Sequence, residues 1–536
     1  MQQEKRLPIG SQDFEDLRKN GFFYVDKTEY VFNLIKDSKY FFLSRPRRFG
    51  KSLFLSTLAA YFEGKKELFQ GLYLEHAEEE LARQQGREAW VKHPVFLIDF
   101  SQGQYTTPEG LYSRANTMLT RFEAQYHVTL LKGSEEAYGD RMTRILQAAY
   151  QQTGQQAVVL VDEYDKPLLE TLYGGKAELF DRHRDALAAF FSVLKGCDAY
   201  LRFGMLSGVT RFSRVSIFSS INNLMDISMD DAFAGICGFA RSELEKDFLP
   251  EIEALAAKSN LSLEDTFAKL KRFYDGYRFS QNGVSLYNSF SFLTLLQKKQ
   301  FGYYWFTGST GSYLVNLLRE AELDIPSLDG GIEYGALELE SYKAVKEDAV
   351  PILFQSGYLS IKEYITEDNT YRLGFPNDEV RYAFLQILFP RVFRVRGSVQ
   401  ALTAKFKNAV AAGRVDDFMG QLKALIAGCP YGKGVEATED HYQTAVYLVF
   451  KLMGEWVRTE IHSALGRADC IVETNTTVYL FEFKLLSAGS PAEAIAQIRR
   501  QGYAAPYLTG AKKVVLIGAS FDEAARTLGE WQVEEA

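Results

Sequence analysis

One stretch near the amino terminus constrains the fold more than any other, because it reads as a strand, a loop and a helix in succession. Residues 40–43 are apolar and aromatic, and residues 53–62 carry apolar side chains at helical spacing. Between them, G-K-S at residues 50–52 matches the end of the pattern G-x-x-x-x-G-K-[ST]. In that pattern, backbone N–H groups and a helix N-terminus face phosphate, the lysine reaches its outer oxygens, and the hydroxyl binds magnesium. Arg45 replaces the first glycine, so a solvated basic turn is the alternative interpretation.

A second apolar run supplies the acids that such a loop needs. Residues 157–161 are continuously apolar, as in a central parallel strand, and they end in Asp162 and Glu163. Asp162 is expected to hold magnesium, commonly through water, and Glu163 to orient and deprotonate the attacking water in ATP hydrolysis. A solvated acidic turn is the alternative. Asp99 competes for the magnesium role, but it ends its strand without a second adjacent acid.

A third strand is predicted over residues 201–206, and polar residues follow it. In a nucleotide-binding parallel sheet, a polar residue after the strand beside the acid-bearing strand can sense the γ-phosphate. Thr210 fits that role, and Arg211 is a candidate for stabilising charge in the transition state. The order of these segments predicts a doubly wound α/β domain whose ligand lies at the carboxyl ends of its strands.

The last hundred residues contain a second chemical constellation. Residues 478–484 read as a strand, on which Glu482 and Lys484 share one face. If residues 475–476 are the central pair of a hairpin turn, Asp469 lies opposite Glu482. Two carboxylates beside a lysine suit phosphodiester hydrolysis: the acids ligate Mg²⁺ or Mn²⁺, and the lysine positions the nucleophile or stabilises the phosphorane charge. A cross-strand salt bridge is the alternative.

Composition limits the remaining classes of function. The net charge is −8 and the pI about 5.6, so no global basic field draws the 536-residue chain to nucleic acid or to an anionic membrane. No apolar run approaches the roughly 20 residues of a membrane span, and the first residues lack a signal-peptide core. We therefore expect a cytoplasmic protein without a membrane partner. The four cysteines and six histidines show neither C-x-x-C nor metal-ligand spacing, which argues against structural zinc and a disulfide framework.

Several of these runs resemble one family of proteins. SRPRRFGKSLFLSTL, VLVDEYDKPL and GVTRFSRVSIFSSINNL are similar to segments of bacterial AAA-ATPase-like proteins that often end in a PD-(D/E)XK nuclease domain. The resemblance spans nearly the whole chain. It includes G-R-A-D at residues 466–469 and E-F-K at residues 482–484, which resemble the nuclease motif. An arginine-rich loop before G-K-S is typical of that family, which favours nucleotide binding despite Arg45.

The resemblance also implies further site residues. It implies that the whole loop binds the nucleotide, through Arg45, Pro46, Arg47, Arg48, Phe49, Gly50, Lys51 and Ser52. In the nuclease domain it implies an upstream helical acid, for which Glu439 matches best and Asp440 competes. Gln497, on a helix that begins with a capping box at residues 490–493, is expected near the catalytic patch. Two arginines of that helix are candidate phosphate contacts: Arg499 and Arg500.

The predicted architecture is thus α/β with four segments. A P-loop (AAA/ASCE-like) parallel-sheet ATPase domain covers 1–231, a helical lid or winged-helix-like region 232–378, a helical connector 379–436, and an α/β PD-(D/E)XK restriction-endonuclease-like domain 437–536. The expected cofactors are ATP and Mg²⁺ or Mn²⁺, and the expected partner is nucleic acid, with DNA favoured over RNA. The alternative is a nucleotide-regulated switch or binding protein whose nuclease domain is secondary or inactive. Whether the chain forms a homo-oligomer is left open.

Overall fold

The computed structural model describes residues 5–129, 138–172, 176–211, 223–305, 317, 328–329, 331–340, 348–393, 398–428, 439–454, 457–463 and 466–536. For 340, 391–392, 439–444, 457–463 and 466–469 it describes backbone secondary structure alone. The chain divides into two compact units, Met1–Val380 and Arg381–Ala536. The finer boundaries expected from the sequence remain predictions. Among the described residues, no helix is long and apolar enough to cross a membrane.

The first unit is built on a parallel sheet of five strands in the order β2-β3-β4-β1-β5. Its strands are β1 (Tyr40–Ser44), β2 (Val95–Asp99), β3 (Ala157–Asp162), β4 (Leu201–Gly208) and β5 (Leu224–Asp226). β1 and β3 are buried along their whole length, as their apolar sequences predict for strands covered on both faces. One strand, β4, separates the loop-bearing β1 from the acid-bearing β3. This confirms the predicted α/β fold with a parallel sheet.

Eight helices of the first unit precede or alternate with these strands. They are α1 (Phe14–Lys19), α2 (Thr28–Asp37), α3 (Lys51–Phe62), α4 (Tyr73–Gln85), α5 (Pro108–Gln125), α6 (Tyr138–Thr153), α7 (Lys166–Leu169) and α8 (Ala177–Gly196). α3 packs on β2 and β3, and α6 packs on β3. Since β1 leads into α3, the carboxyl edge of the sheet and the N-terminus of α3 face the same space.

The rest of the first unit is helical with two small sheets, so it is less purely helical than the sequence suggested. Its helices are α9 (Arg241–Asp247), α10 (Leu249–Ser259), α11 (Leu263–Tyr274), α12 (Ser289–Lys298), α13 (Ala336–Glu340) and α14 (Val350–Gln355). β6 (Phe239–Ala240) pairs with β7 (Leu286–Tyr287), and β10 (Thr370–Gly374) lies between β8 (Ile332–Gly335) and β9 (Ser360–Ile365). Phe248, Leu270 and Phe292 belong to the apolar core beneath α9 to α12.

The second unit begins within α15 (Asp378–Val392), a helix that contains the boundary between the units. Its sheet has the order β11-β12-β13-β14-β15, in which only β13 and β14 are parallel among the described strands. A parallel pair needs a crossover, which α19 and α20 provide. The elements are α16 (Val399–Ala411), α17 (Val415–Ala427), α18 (Glu439–Leu452), β11 (Val457–Ser463), β12 (Gly466–Glu473), β13 (Thr477–Leu485), α19 (Pro491–Arg500), α20 (Ala505–Leu508), β14 (Lys513–Asp522) and β15 (Thr527–Glu535).

Candidate nucleotide and nuclease sites

The loop between β1 and α3 has the backbone of an anion site. Gly50 is the N-cap of α3 and has φ +99°, a left-handed value that glycine adopts without strain. Lys51 begins the helix and is nearly buried; its Nζ donates to the carbonyl oxygens of Arg45 at 2.8 Å and Pro46 at 3.0 Å. Burial lowers the pKa of Lys51. Within the described part of the chain, the Lys51 ammonium is thus held by carbonyl oxygens of its own loop, at the N-terminus of α3.

The two acids at the end of β3 have different surroundings. Asp162 is buried, and its Oδ1 accepts a hydrogen bond from Ser207 Oγ on the neighbouring β4 at 2.7 Å. Glu163 is partly buried and has φ +50°, which is unusual for a residue with a Cβ and costs about 1–2 kcal/mol. Burial raises the pKa of Glu163, as suits a general base. Such strain is common at functional sites.

Lys51, Ser52 and Glu163 line one cavity of about 580 Å³ within the first unit. The structure therefore brings together three of the residues predicted for ATP hydrolysis. Residues 8, 10–12 and 23–25 of the amino-terminal segment also line it. The sequence did not predict that this segment lines the cavity; its one signal was the aromatic run at residues 22–24. Asp162 is not among the lining residues, and Ser207 holds its carboxylate.

Arg45 does not reach this cavity. Its side chain is 1% exposed, and the guanidinium donates to the carbonyl oxygens of Ser228 at 2.6 Å and Phe233 at 3.2 Å. It also lies 4.4 Å from the centre of the Phe279 ring. Burial lowers its pKa to about 10. Arg45 thus stabilises the segment after β5, and the structure does not place its charge beside the phosphates as the sequence suggested.

Two runs from later in the first unit pack against the rest of the loop. The Phe49 ring lies 4.7 Å from that of Tyr277 and 5.5 Å from that of Phe279, both from the run Y-D-G-Y-R-F at residues 274–279. Pro46 packs on Gly357 of the run L-F-Q-S-G, where an added Cβ would approach it to 2.7 Å. These contacts hold a loop that lacks the usual first glycine.

The other two arginines of the loop line the cavity. Arg48 lies 4.2 Å above the Phe290 ring and donates to the carbonyl oxygens of Tyr304 at 3.2 Å and Trp305 at 3.0 Å. Arg47 is partly exposed and close enough to Glu163 to lower that carboxyl's pKa against the effect of burial. Among the loop arginines, Arg47 is therefore the one near the candidate base.

The residues after β4 are committed to other partners. Thr210 Oγ1 and its backbone N both donate to Asp165 Oδ2 at 2.6 Å. Arg211 forms a buried ion pair with Asp226 at 2.6 Å, and its backbone N donates to Gln355. Neither residue lines the cavity. Asp165, the third acid of the D-E-Y-D run, was not predicted to be the partner of Thr210.

The second unit contains the other predicted cluster. Glu482 on β13 is only 2% exposed. Its Oε1 lies 3.3 Å from Lys484 Nζ and accepts a hydrogen bond from Gln497 Nε2 at 2.5 Å. The predicted capping box forms at Ser490 and starts α19, which carries Gln497 over the sheet. The structure thus brings together Glu482, Lys484 and Gln497.

The strand register agrees with the hairpin assumed from the sequence. Cys470 pairs with Phe481 and Glu473 with Val478, and the same register continued by one residue would set Asp469 opposite Glu482. The side chain of Asp469 lies outside the described part of the structure. So do the side chains of Glu439 and Asp440, at the start of α18.

The two arginines of α19 differ in their surroundings. Arg499 pairs with Glu534 at 2.8 Å, and Arg500 is exposed. Within the described side chains, no three His, Cys, Asp or Glu residues gather into a metal-binding group. Glu482 nevertheless fits a divalent cation, because a buried carboxylate beside a lysine and an amide is a hard oxygen donor in an otherwise apolar sheet.

Comparison with known proteins agrees with the two predicted domains. A family model described as a predicted AAA-ATPase matches residues 8–218, and one for the PD-(D/E)XK nuclease superfamily matches residues 437–531. A protein of Azotobacter chroococcum mcd 1, named as an uncharacterized protein in the vnfD 5′ region, is 34% identical to this chain over 537 residues. The match covers 99% of each of the two chains. The chain belongs to this family of AAA-ATPase-like proteins with a carboxyl-terminal PD-(D/E)XK nuclease-superfamily domain.

Proposed function

We propose that the first unit binds and hydrolyses ATP, and that this controls metal-dependent cleavage of nucleic acid, DNA in preference to RNA, by the second unit. One observation carries the proposal: each unit presents a cluster of the required residue types, Lys51 with Glu163 in one and Glu482 with Lys484 in the other. A chain that kept only one activity would have no need to keep both clusters.

In the ATP site the residues divide the work between binding and proton transfer. Lys51 leaves its loop carbonyls and donates to the outer phosphate oxygens, while the N-terminus of α3 faces the phosphate chain. Ser52 and Asp162, the latter through water, would hold Mg²⁺, which when bound would offset the phosphate charge. Glu163 orients the attacking water and accepts its proton, and its raised pKa favours that step.

In the nuclease site Glu482 and Asp469 would hold Mg²⁺ or Mn²⁺, which when bound would supply Lewis acidity toward the scissile phosphate. Lys484 orients the water and donates to the developing charge on the phosphate oxygens, and Gln497 fixes the rotamer of Glu482. Residues 441–536 contain nine Lys and Arg against eleven Asp and Glu, so the net charge of this segment does not attract DNA.

The experiment is cleavage of linear, circular and single-stranded DNA and of RNA, with Mg²⁺ or Mn²⁺, with and without ATP. Wild type, Lys51→Ala and Lys484→Ala are compared. Lys484→Ala is expected to abolish cutting while leaving ATP turnover, and Lys51→Ala to abolish turnover and the response of cutting to ATP. Cutting that survives Lys484→Ala refutes the nuclease site. ATP binding without cleavage under any condition would favour a nucleotide-regulated switch.

A further inference from the structure

Arg48 occupies an unusual position in the phosphate loop. Its backbone has φ +65°, a left-handed value that a residue with a Cβ rarely adopts. Ser289 Oγ donates to its carbonyl oxygen at 3.2 Å. Its guanidinium is held by the carbonyl oxygens of Tyr304 and Trp305. The loop conformation next to Gly50 therefore depends on where residues 304–305 lie.

Residues 304–305 are in turn held by one carboxylate. Glu379 is fully buried, and its Oε1 accepts hydrogen bonds from the backbone N–H groups of Tyr304 and of Trp305, the latter at 2.8 Å. A buried carboxylate is tolerated only where such donors and a nearby cation compensate for lost hydration. Both backbone donors belong to the segment that Arg48 contacts.

One peptide group joins the arginine to the carboxylate. The carbonyl oxygen of Tyr304 accepts from Arg48, and the N–H of the same peptide, on Trp305, donates to Glu379. The cation thus lies at the negative end of the peptide dipole and the anion at its positive end. Hydrogen bonds at both ends of one peptide group polarise and strengthen each other.

We propose that Glu379 is a positioning residue of the nucleotide site, which acts through the Tyr304–Trp305 peptide on Arg48 to hold the phosphate loop in its ATP-binding form. The inference rests on the proposed ATP binding by the first unit. Arg48 is then the anchor of the loop and not a ligand of the phosphates. Glu379 is the second residue of α15, so the same link connects the loop to the helix that leaves the first unit.

The test measures the Kd for ATP and the KM and kcat of its hydrolysis in the full-length chain. Glu379→Ala is expected to raise Kd and KM about tenfold, whereas Glu379→Gln, which keeps an oxygen acceptor, stays within about threefold of wild type. Arg48→Ala is expected to match Glu379→Ala. The double variant should be no worse than either single variant, because both remove one link. Asp378→Asn is the matched control: it adjoins Glu379 but pairs with Arg272 at 3.0 Å.

The outcomes separate this inference from the proposed function. The thermal midpoint of the double variant should be lower than that of either single variant. If the substitutions acted only by unfolding the protein, the double variant would therefore also bind ATP more weakly than either single variant, which differs from the expected pattern in Kd. If the two substitutions weaken ATP binding independently, or if Glu379→Ala binds ATP like Asp378→Asn, Glu379 has no positioning role while the ATP site stands. If wild type fails to bind ATP, the proposed function itself is refuted. Arg48→Ala and Glu379→Gln keep the test decisive if Glu379→Ala does not fold.

Discussion

The amide of Gln497 on α19 donates a hydrogen bond to Oε1 of the buried Glu482 on β13. The same oxygen lies 3.3 Å from Lys484 Nζ. A helix and a strand thereby fix one carboxylate from two directions, which sets the direction in which it can meet a cation. This contact distinguishes a built site from a simple salt bridge between Lys484 and Glu482.

Substitution of Gln497 should reduce nucleic-acid cleavage without unfolding the second unit. Gln497→Ala removes a donor that orients the carboxylate, and loss of such partners typically costs about 10- to 100-fold in activity or metal affinity. The cleavage rate is measured against Mg²⁺ concentration. Arg499→Ala is the control on the same helix, since Arg499 already pairs with Glu534. Equal effects of the two substitutions would mean that Gln497 has no special role.

Restoring the usual first glycine of the loop should harm the protein. Arg45→Gly leaves the carbonyl oxygens of Ser228 and Phe233 without their donor and opens space beside Phe279. Unpaired buried acceptors and the cavity together should lower the free energy of unfolding by at least about 3 kcal/mol. Urea denaturation measures the loss. A stable Arg45→Gly variant that binds ATP more tightly would contradict the structural role of Arg45.

Glu163 offers a test of strain at the candidate base. Because its φ is +50°, Glu163→Gly should be more stable than Glu163→Ala by about 1 kcal/mol, the reverse of the usual order in regular structure. Both variants should bind ATP but lose hydrolysis by about 100-fold or more. Glu163→Gln keeps the shape and should behave likewise in turnover. Thermal midpoints and single-turnover rates check the two parts separately.

Much of the architecture could be predicted because its signals are local. The apolar run ending at Asp162 predicts a buried parallel strand, and Gly50 predicts the turn into α3; both are present. Hairpin register follows from a turn and the alternation of side chains, so the pairing that leads to Glu482 was also predictable.

The partners of the loop arginines were not predictable from local sequence. The three arginines of the loop are chemically alike, yet their surroundings differ. Arg45 is buried against backbone carbonyls, Arg47 lies near Glu163, and Arg48 contacts residues 304–305. Their partners lie up to 257 residues away, and only folding decides which carbonyl meets which guanidinium. The same holds for Thr210, whose hydroxyl is taken by Asp165.

Glu379 should make the stability of the chain depend on pH in an unusual direction. Burial, against the opposing effects of Trp305 N–H, Ser291, Tyr304 N–H and Arg48, raises the pKa of Glu379 to about 7 from an ordinary 4.5. The folded state therefore binds this proton more tightly than the unfolded state. The stabilisation that this tighter proton binding gives to the folded state is fully present below pH 4.5 and is lost as pH rises toward 7 and above.

The expected loss of stability follows from the difference between a pKa of about 7 and one of 4.5, which corresponds to roughly 3 kcal/mol. About 2 to 3 kcal/mol of this loss falls between pH 5 and pH 8. Glu379→Gln cannot titrate, so the difference in unfolding free energy between wild type and Glu379→Gln should shift by that amount in favour of the variant as pH rises. Paired denaturation curves at several pH values measure it, and the subtraction removes the titration of other groups. A difference that is flat with pH would mean that Glu379 is ionised throughout, with Arg48 and the two backbone N–H groups compensating fully for its burial.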